Sequence, residues 1–267
     1  MRPLTLAHLT LLDAGPEALI DAAASAGFDA IGLRLVAPLP GDGVFPLVGR
    51  PEAMRAVKAA QRAGGISVLD IEAVWLRPDT RVESLRPVLE AGAELGARYL
   101  LTVGFDPERA RLIENLGRLC DSANGVGLRP MFEFIPYSSV PDLAAALDLL
   151  RGAGARDAGL LIDALHLRRS GGHPRDLAAI DPALLSYGQI CDAPLAPPAD
   201  GDLRHEARED RRLPGEGELW LEDLIRALPP DVPLAVEAPC KALRHLSHHE
   251  RARLAAEAAR RVLARMA

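Results

Sequence analysis

The chain has 267 residues, 49% hydrophobic and 25% charged, with a formal net charge of −6. This is the composition of a globular protein with a large core, and its acidic balance argues against a nucleic-acid partner, which needs a basic face. Cys120, Cys191 and Cys240 are widely spaced and form no CxxC pair, so a reducing cytoplasm fits better than a disulfide framework or structural zinc.

The N-terminus, "MRPLTLAHLTLLDAGPEAL", reads as a first strand over 4–11 and a loop, because His8, Thr10 and Asp13 interrupt its apolar run and rule out a signal peptide. A helix at 16–26 follows, with Pro in its first turn and Gly as its stop, and then a strand at 28–35. The alternation continues with a helix at 51–63, a strand at 66–76, a helix at 82–95, a strand at 98–105, a helix at 107–123 and a strand at 129–135. A helix at 138–152, a strand at 159–166, a helix at 174–180, a strand at 184–193, a helix at 219–227, a strand at 233–239 and a last helix at 246–266 complete it. Eight strand–helix units imply parallel strands and, at this length, a single (β/α)8 barrel domain spanning 1–267. No Gly-rich phosphate loop follows the first strand, which disfavours a dinucleotide fold. No stretch reaches the roughly 18 apolar residues of a membrane span. Residues 193–218 form the longest irregular segment, a length more often functional than idle.

Barrel chemistry sits where strands end. Glu133 ends the fifth strand, Asp163 the sixth, Gln189 and Asp192 the seventh and Glu237 the eighth. An unpaired buried carboxylate costs several kcal/mol, so three acids and an amide on consecutive strand ends call for a cation. Oxygen-only ligands favour one Mg²⁺ or Mn²⁺, with Co²⁺ or Zn²⁺ also admissible. Three acids exceed the charge of a divalent ion and leave room for a further positive group or a proton.

Glu133, the "DALH" element with Asp163 and His166, "QICDA", "RRLPGEGELWL" and "VEAP" together resemble the xylose isomerase-like TIM barrels. That family includes sugar-phosphate isomerases, ketose 3-epimerases, inosose dehydratases and 3-dehydroshikimate dehydratases. The resemblance implies a divalent metal held by Glu133, Asp163, Gln189 and Glu237. Its Asp-x-x-His pattern falls on Asp163 and His166, and its Arg-x-x-Pro-Gly-x-Gly pattern on Arg211, Pro214, Gly215 and Gly217. Many of the epimerases carry His where this chain has Gln189, and Gln looks more like the dehydratase branch. Endonuclease IV shares the barrel, but its additional His ligands have no counterpart here, since His8 is the only histidine before His166.

The resemblance implies proton abstraction next to a carbonyl, with Glu133 and Glu237 as the acid–base pair and His166 as an acid or a substrate contact. The leading expectation is an isomerase or epimerase of a keto sugar or sugar phosphate. The alternative is a dehydratase of a cyclic keto acid such as 3-dehydroshikimate, and a third reading is a non-catalytic sugar or metal sensor. Arg211 is expected to reach a substrate oxyanion, while Arg208 and Arg212 read as solvated charges. Arg34 either binds a substrate carboxylate or pairs with Glu72, and Glu72 is that partner or a polar pocket wall. His245, His248 and His249 read as an exposed first turn of the last helix. The expected partner is a small molecule, with no nucleic acid and no membrane; a homo-oligomer stays open.

Overall fold

Eight short parallel strands, joined in chain order, close on themselves: β1 (Leu4–Leu6), β2 (Ala30–Arg34), β3 (Ser67–Leu76), β4 (Tyr99–Gly104), β5 (Arg129–Glu133), β6 (Gly159–Asp163), β7 (Leu185–Ile190) and β8 (Leu234–Val236), with β8 pairing back to β1. The computed structural model describes residues 2–39, 41–155 and 157–266. The helices are α1 (Pro16–Ala26), α2 (Pro51–Gly64), α3 (Arg86–Glu94), α4 (Arg109–Asn124), α5 (Leu143–Gly152), α6 (Ala164–Arg169), α7 (Leu203–Glu209), α8 (Leu221–Ala227) and α9 (His248–Ala264). None among the described residues is long and apolar enough to cross a membrane.

The expected barrel is therefore present, with all eight strands where the apolar runs lie. Four local expectations are corrected. Residues 8–11 form a 3₁₀ turn in which His8 and Thr10 are buried, so the first strand stops at Leu6. Residues 164–169 are helical, because the Asp163 carboxylate caps α6 by accepting the His166 backbone N–H at 2.8 Å. The segment 174–179 is a 3₁₀ helix. The loop at 193–218 also contains α7, capped by Asp202.

The two faces of each strand feed two cores. Pro130 and Phe132 on β5, Leu160 and Ile162 on β6, and Leu234 and Val236 on β8 are buried, and all but Pro130 join the large cluster between sheet and helices. The alternate residues Met131, Leu161, Tyr187 and Ala235 fill the barrel interior with Leu69, Tyr99 and Leu101. Two residues further along the same inward faces come Glu133, Asp163, Gln189 and Glu237. The period of a strand thus carries an apolar plug upward into a polar rim. α7 crosses above that rim, and a buried Arg169–Glu206 pair at 2.6 Å ties it to α6.

Candidate metal centre and active site

Glu133, Asp163 and Glu237 each present an oxygen, and these oxygens lie within 4.8 Å of one another. All three acids are buried, and so is Gln189, whose Nε2 donates to Glu237 Oε1 at 3.0 Å. Two acceptors here, Glu133 Oε1 and Gln189 Oε1, are buried without a hydrogen-bond partner among the described residues. Orphaned buried oxygens carry a desolvation cost that a cation would remove. The donor set thus fits a hard divalent ion.

The further positive group admitted by the acid count is Arg211. Its Nη1 donates to Asp163 Oδ2 at 2.7 Å, its Nη2 lies 3.0 Å from Glu237 Oε2, and its Nε donates to the Ala207 carbonyl at 2.7 Å. Arg211 against three ionised acids leaves two negative charges, which a divalent ion balances. Removing one partner of so buried a pair costs about 3–5 kcal/mol.

The local electrostatics follow from this crowding. Burial, then the charges of Glu237 and Asp163, raises Glu133 well above the usual carboxylate range, with Arg211 opposing. Burial pushes Glu237 up to about 7 against the pull of Arg211. Burial would raise Asp163 as well, but the charges of Arg211 and His166 and the hydrogen bonds from both outweigh it and hold the group low. His166, on α6, is pushed down to about 4 by burial and Arg211, against Asp163. Its Nε2 lies 3.8 Å from Glu133 Oε1.

Above these groups is a chamber of about 50 Å³, walled among others by Arg34, Glu72, Trp75, Tyr137 and Arg208. Arg34 and Glu72 do meet, at 3.6 Å between Nη2 and Oε1, yet Arg34 Nε and Nη1 are buried without a partner among the described residues. Arg34 therefore satisfies the pairing expectation with one nitrogen and leaves two donors for a ligand. Arg208 is not a solvated charge: it pairs with Asp42 at 3.0 Å, lies 6.0 Å from the Trp75 ring centroid and walls the chamber. Arg212 is exposed and donates to the Glu216 carbonyl.

Asp192 does not join the cluster. Its carboxylate accepts the backbone N–H groups of Ala193, Gly215 and Leu219 and so anchors the Pro-Gly-x-Gly loop. His248 and His249 sit in the first turn of α9 against Asp13 and Asp21, and His245 lies just before it. Sequence reading passed over Trp75 and Tyr137, which form an aromatic wall through Phe105 and the edge of His166. It also passed over Asp70, which accepts the Tyr187 hydroxyl at 2.6 Å across the barrel interior.

Comparison with known proteins gives the same architecture. A family model described as xylose isomerase-like TIM barrel matches residues 20–265. A 3-dehydroshikimate dehydratase of Pseudomonas aeruginosa is 32% identical over 111 residues, which are 41% of this chain and 17% of that much longer protein. The IolI protein, solved with a bound zinc atom, superposes with a TM-score of 0.82 at 20% identity, covering 100% of this chain and 99% of its own. D-allulose 3-epimerase from Methylomonas sp., solved in complex with D-allulose, superposes at 0.70 with 18% identity, covering 99% and 97%. At these identities the structural likenesses speak to the fold.

Proposed function

Because the chain belongs to the xylose isomerase-like TIM barrel family, we propose that it is a divalent-metal-dependent enzyme that removes a proton next to a carbonyl, and that its reaction is the dehydration of a small cyclic keto acid. The observation that carries the choice is an asymmetry between the two glutamates. Both oxygens of Glu237 are engaged, one by Gln189 and the other by Arg211, whereas Glu133 Oε1 has no hydrogen-bond partner among the described residues and faces His166. An epimerase needs a base on each substrate face, and the partners on both Glu237 oxygens make it a weaker base than the unpartnered Glu133 Oε1. Dehydration needs one base and a route for its proton to the leaving oxygen. The two unpaired donors of Arg34 favour a substrate that carries a carboxylate. The local likeness to 3-dehydroshikimate dehydratase supports the same branch.

A divalent ion held by Glu133, Asp163, Gln189 and Glu237 would supply Lewis acidity beside the substrate carbonyl. Glu133 takes the proton from the carbon next to that carbonyl, and the electron pair left behind forms the new double bond as the β C–O bond breaks. His166 relays a proton from Glu133 to the departing oxygen, which leaves as water. Proton balance is kept without a second base. Arg211 fixes Asp163 and Glu237, and Arg34 orients the substrate carboxylate.

The test is a turnover panel with Mn²⁺, Mg²⁺ or Co²⁺, offering 3-dehydroshikimate and a set of keto sugars. The expected result is absorbance from a conjugated or aromatic product with the keto acid, reduced about 10²–10⁴-fold in Glu133→Gln. Epimerised keto sugars without keto-acid turnover would replace the dehydratase by an epimerase. No metal uptake and no turnover with either class would leave the sensor reading.

A further inference from the structure

Beside the chamber lies a larger cleft of about 520 Å³, within the size range of small-molecule sites. It opens between the turn after β1 and the segment after β8, and Leu9 and Arg208 wall both cavities. Three guanidinium groups, those of Arg208, Arg244 and Arg251, line it against two acids, Asp13 and Glu209. Among the lining residues the cations thus outnumber the acids by one, in a chain of net charge −6.

Arg251 is built into the cleft wall. Its side chain is 7% exposed, and its Nη2 reaches the two Asp13 oxygens at 2.8 and 2.7 Å. Its Nε is a buried donor with no acceptor among the described residues. An unmet buried donor costs about 1–3 kcal/mol, and because this Nε has almost no accessible surface an oxyanion would recover that cost only with a shift of the side chain. Arg244 pairs with Glu209 and Arg208 with Asp42, and Asp42 lies outside the cleft lining. The exposed Arg244–Glu209 pair is of the kind that contributes little and re-forms readily around a new partner.

We propose that this cleft is an anion-binding compartment for the carboxylate or phosphate group of a small molecule, with Arg208, Arg244 and Arg251 as its donors. Two sources share that chemistry. One is the far end of a substrate whose reacting end lies in the chamber on the other side of Arg208, an assignment that rests on the function proposed above. The other is a free small anion, which does not.

Cys240 provides a reporter. It lines the cleft and is partly exposed, whereas Cys120 and Cys191 are buried. Maleimide labelling of the full chain, localised to Cys240 by mass spectrometry, therefore reads occupancy without turnover. Inorganic phosphate and malonate, at ionic strength held constant with sodium chloride, are expected to slow Cys240 labelling saturably, by about tenfold at ten times the dissociation constant. Arg244→Ala, a change at an exposed side chain, should remove most of that protection while circular dichroism stays unchanged. Labelling that phosphate and malonate leave unaltered, or protection that survives in Arg244→Ala, overturns the proposal. Where protection is found, competitive inhibition of keto-acid turnover by phosphate identifies the substrate's far end, and turnover indifferent to phosphate identifies a free anion. Failed labelling leaves the dehydratase reading standing, and failed turnover leaves the anion compartment standing.

Discussion

His8 is buried just past β1 with both ring nitrogens in use: Nε2 lies 3.0 Å from the Ala14 carbonyl, and Nδ1 accepts the Arg34 backbone N–H at 2.9 Å. That pairing requires a neutral ring, with the proton on Nε2. Burial, reinforced by Arg34, pushes the pKa from 6.5 down to about 4. A depressed histidine contributes stability that is whole above pH 6.5 and is lost as the pH falls toward 4. The contribution is about 3 kcal/mol, from the conversion of pKa difference to free energy. Urea unfolding between pH 7 and pH 4 should therefore show a steeper loss in the native chain than in His8→Gln, and parallel curves would refute the linkage. Sequence reading saw His8 only as an interruption of an apolar run, because its partners are backbone groups that no side-chain pattern records. Asp163 and Glu133 were legible because a carboxylate in an apolar strand has few structural excuses.

At the scale of the element, the Arg-x-x-Pro-Gly-x-Gly segment has a mechanical reading. Gly215 adopts φ +83° and donates its N–H to Asp192. A Cβ on Gly217 would stand 2.4 Å from Asp192 Oδ1 and 2.5 Å from the Ala193 carbonyl oxygen. Gly217→Ala must therefore push the loop off the end of β7, at a cost of about 1–3 kcal/mol, and should weaken Arg211's hold on Asp163. A fall in melting temperature with loss of metal affinity is expected; an unchanged protein on both counts would mean that the loop floats free. α6 and α7 escaped the periodicity reading because six or seven residues are too few to declare a helical stripe. Their capping aspartates, Asp163 and Asp202, were the available signal. Asp163 went unread as a cap because it was already counted as a ligand; its Oδ1 caps α6 and its Oδ2 accepts from Arg211.

Over the whole molecule, the barrel was legible because each βα unit repeats one hydrophobic logic eight times, so an error at any single boundary leaves the order intact. What the pattern could not carry is the meeting of distant segments, such as Arg211 with Asp163 or Asp70 with Tyr187. If the crowded acids hold the proposed ion, the stability of the fold is linked to metal. A divalent ion at a hundred times its dissociation constant adds about 2.7 kcal/mol, or roughly 5–10 °C in melting temperature for a chain of this size. Chelator-treated protein should melt lower by that amount, and the gap should widen from pH 6 to pH 8 as protons cease to compete for the carboxylates. Equal melting temperatures with and without Mn²⁺ would remove the metal from the account.

The chamber of about 50 Å³ has room for only a few waters, far below the ~300 Å³ of ordinary ligand pockets. No six-membered ring enters while α7 lies where it does. Under the proposed function, admitting a substrate ring would require α7 to part and return, with the Arg208–Asp42 and Arg169–Glu206 ion pairs broken and remade. A turnover rate that falls with added viscogen is then the expected outcome, and a rate indifferent to viscosity would place the slow step elsewhere.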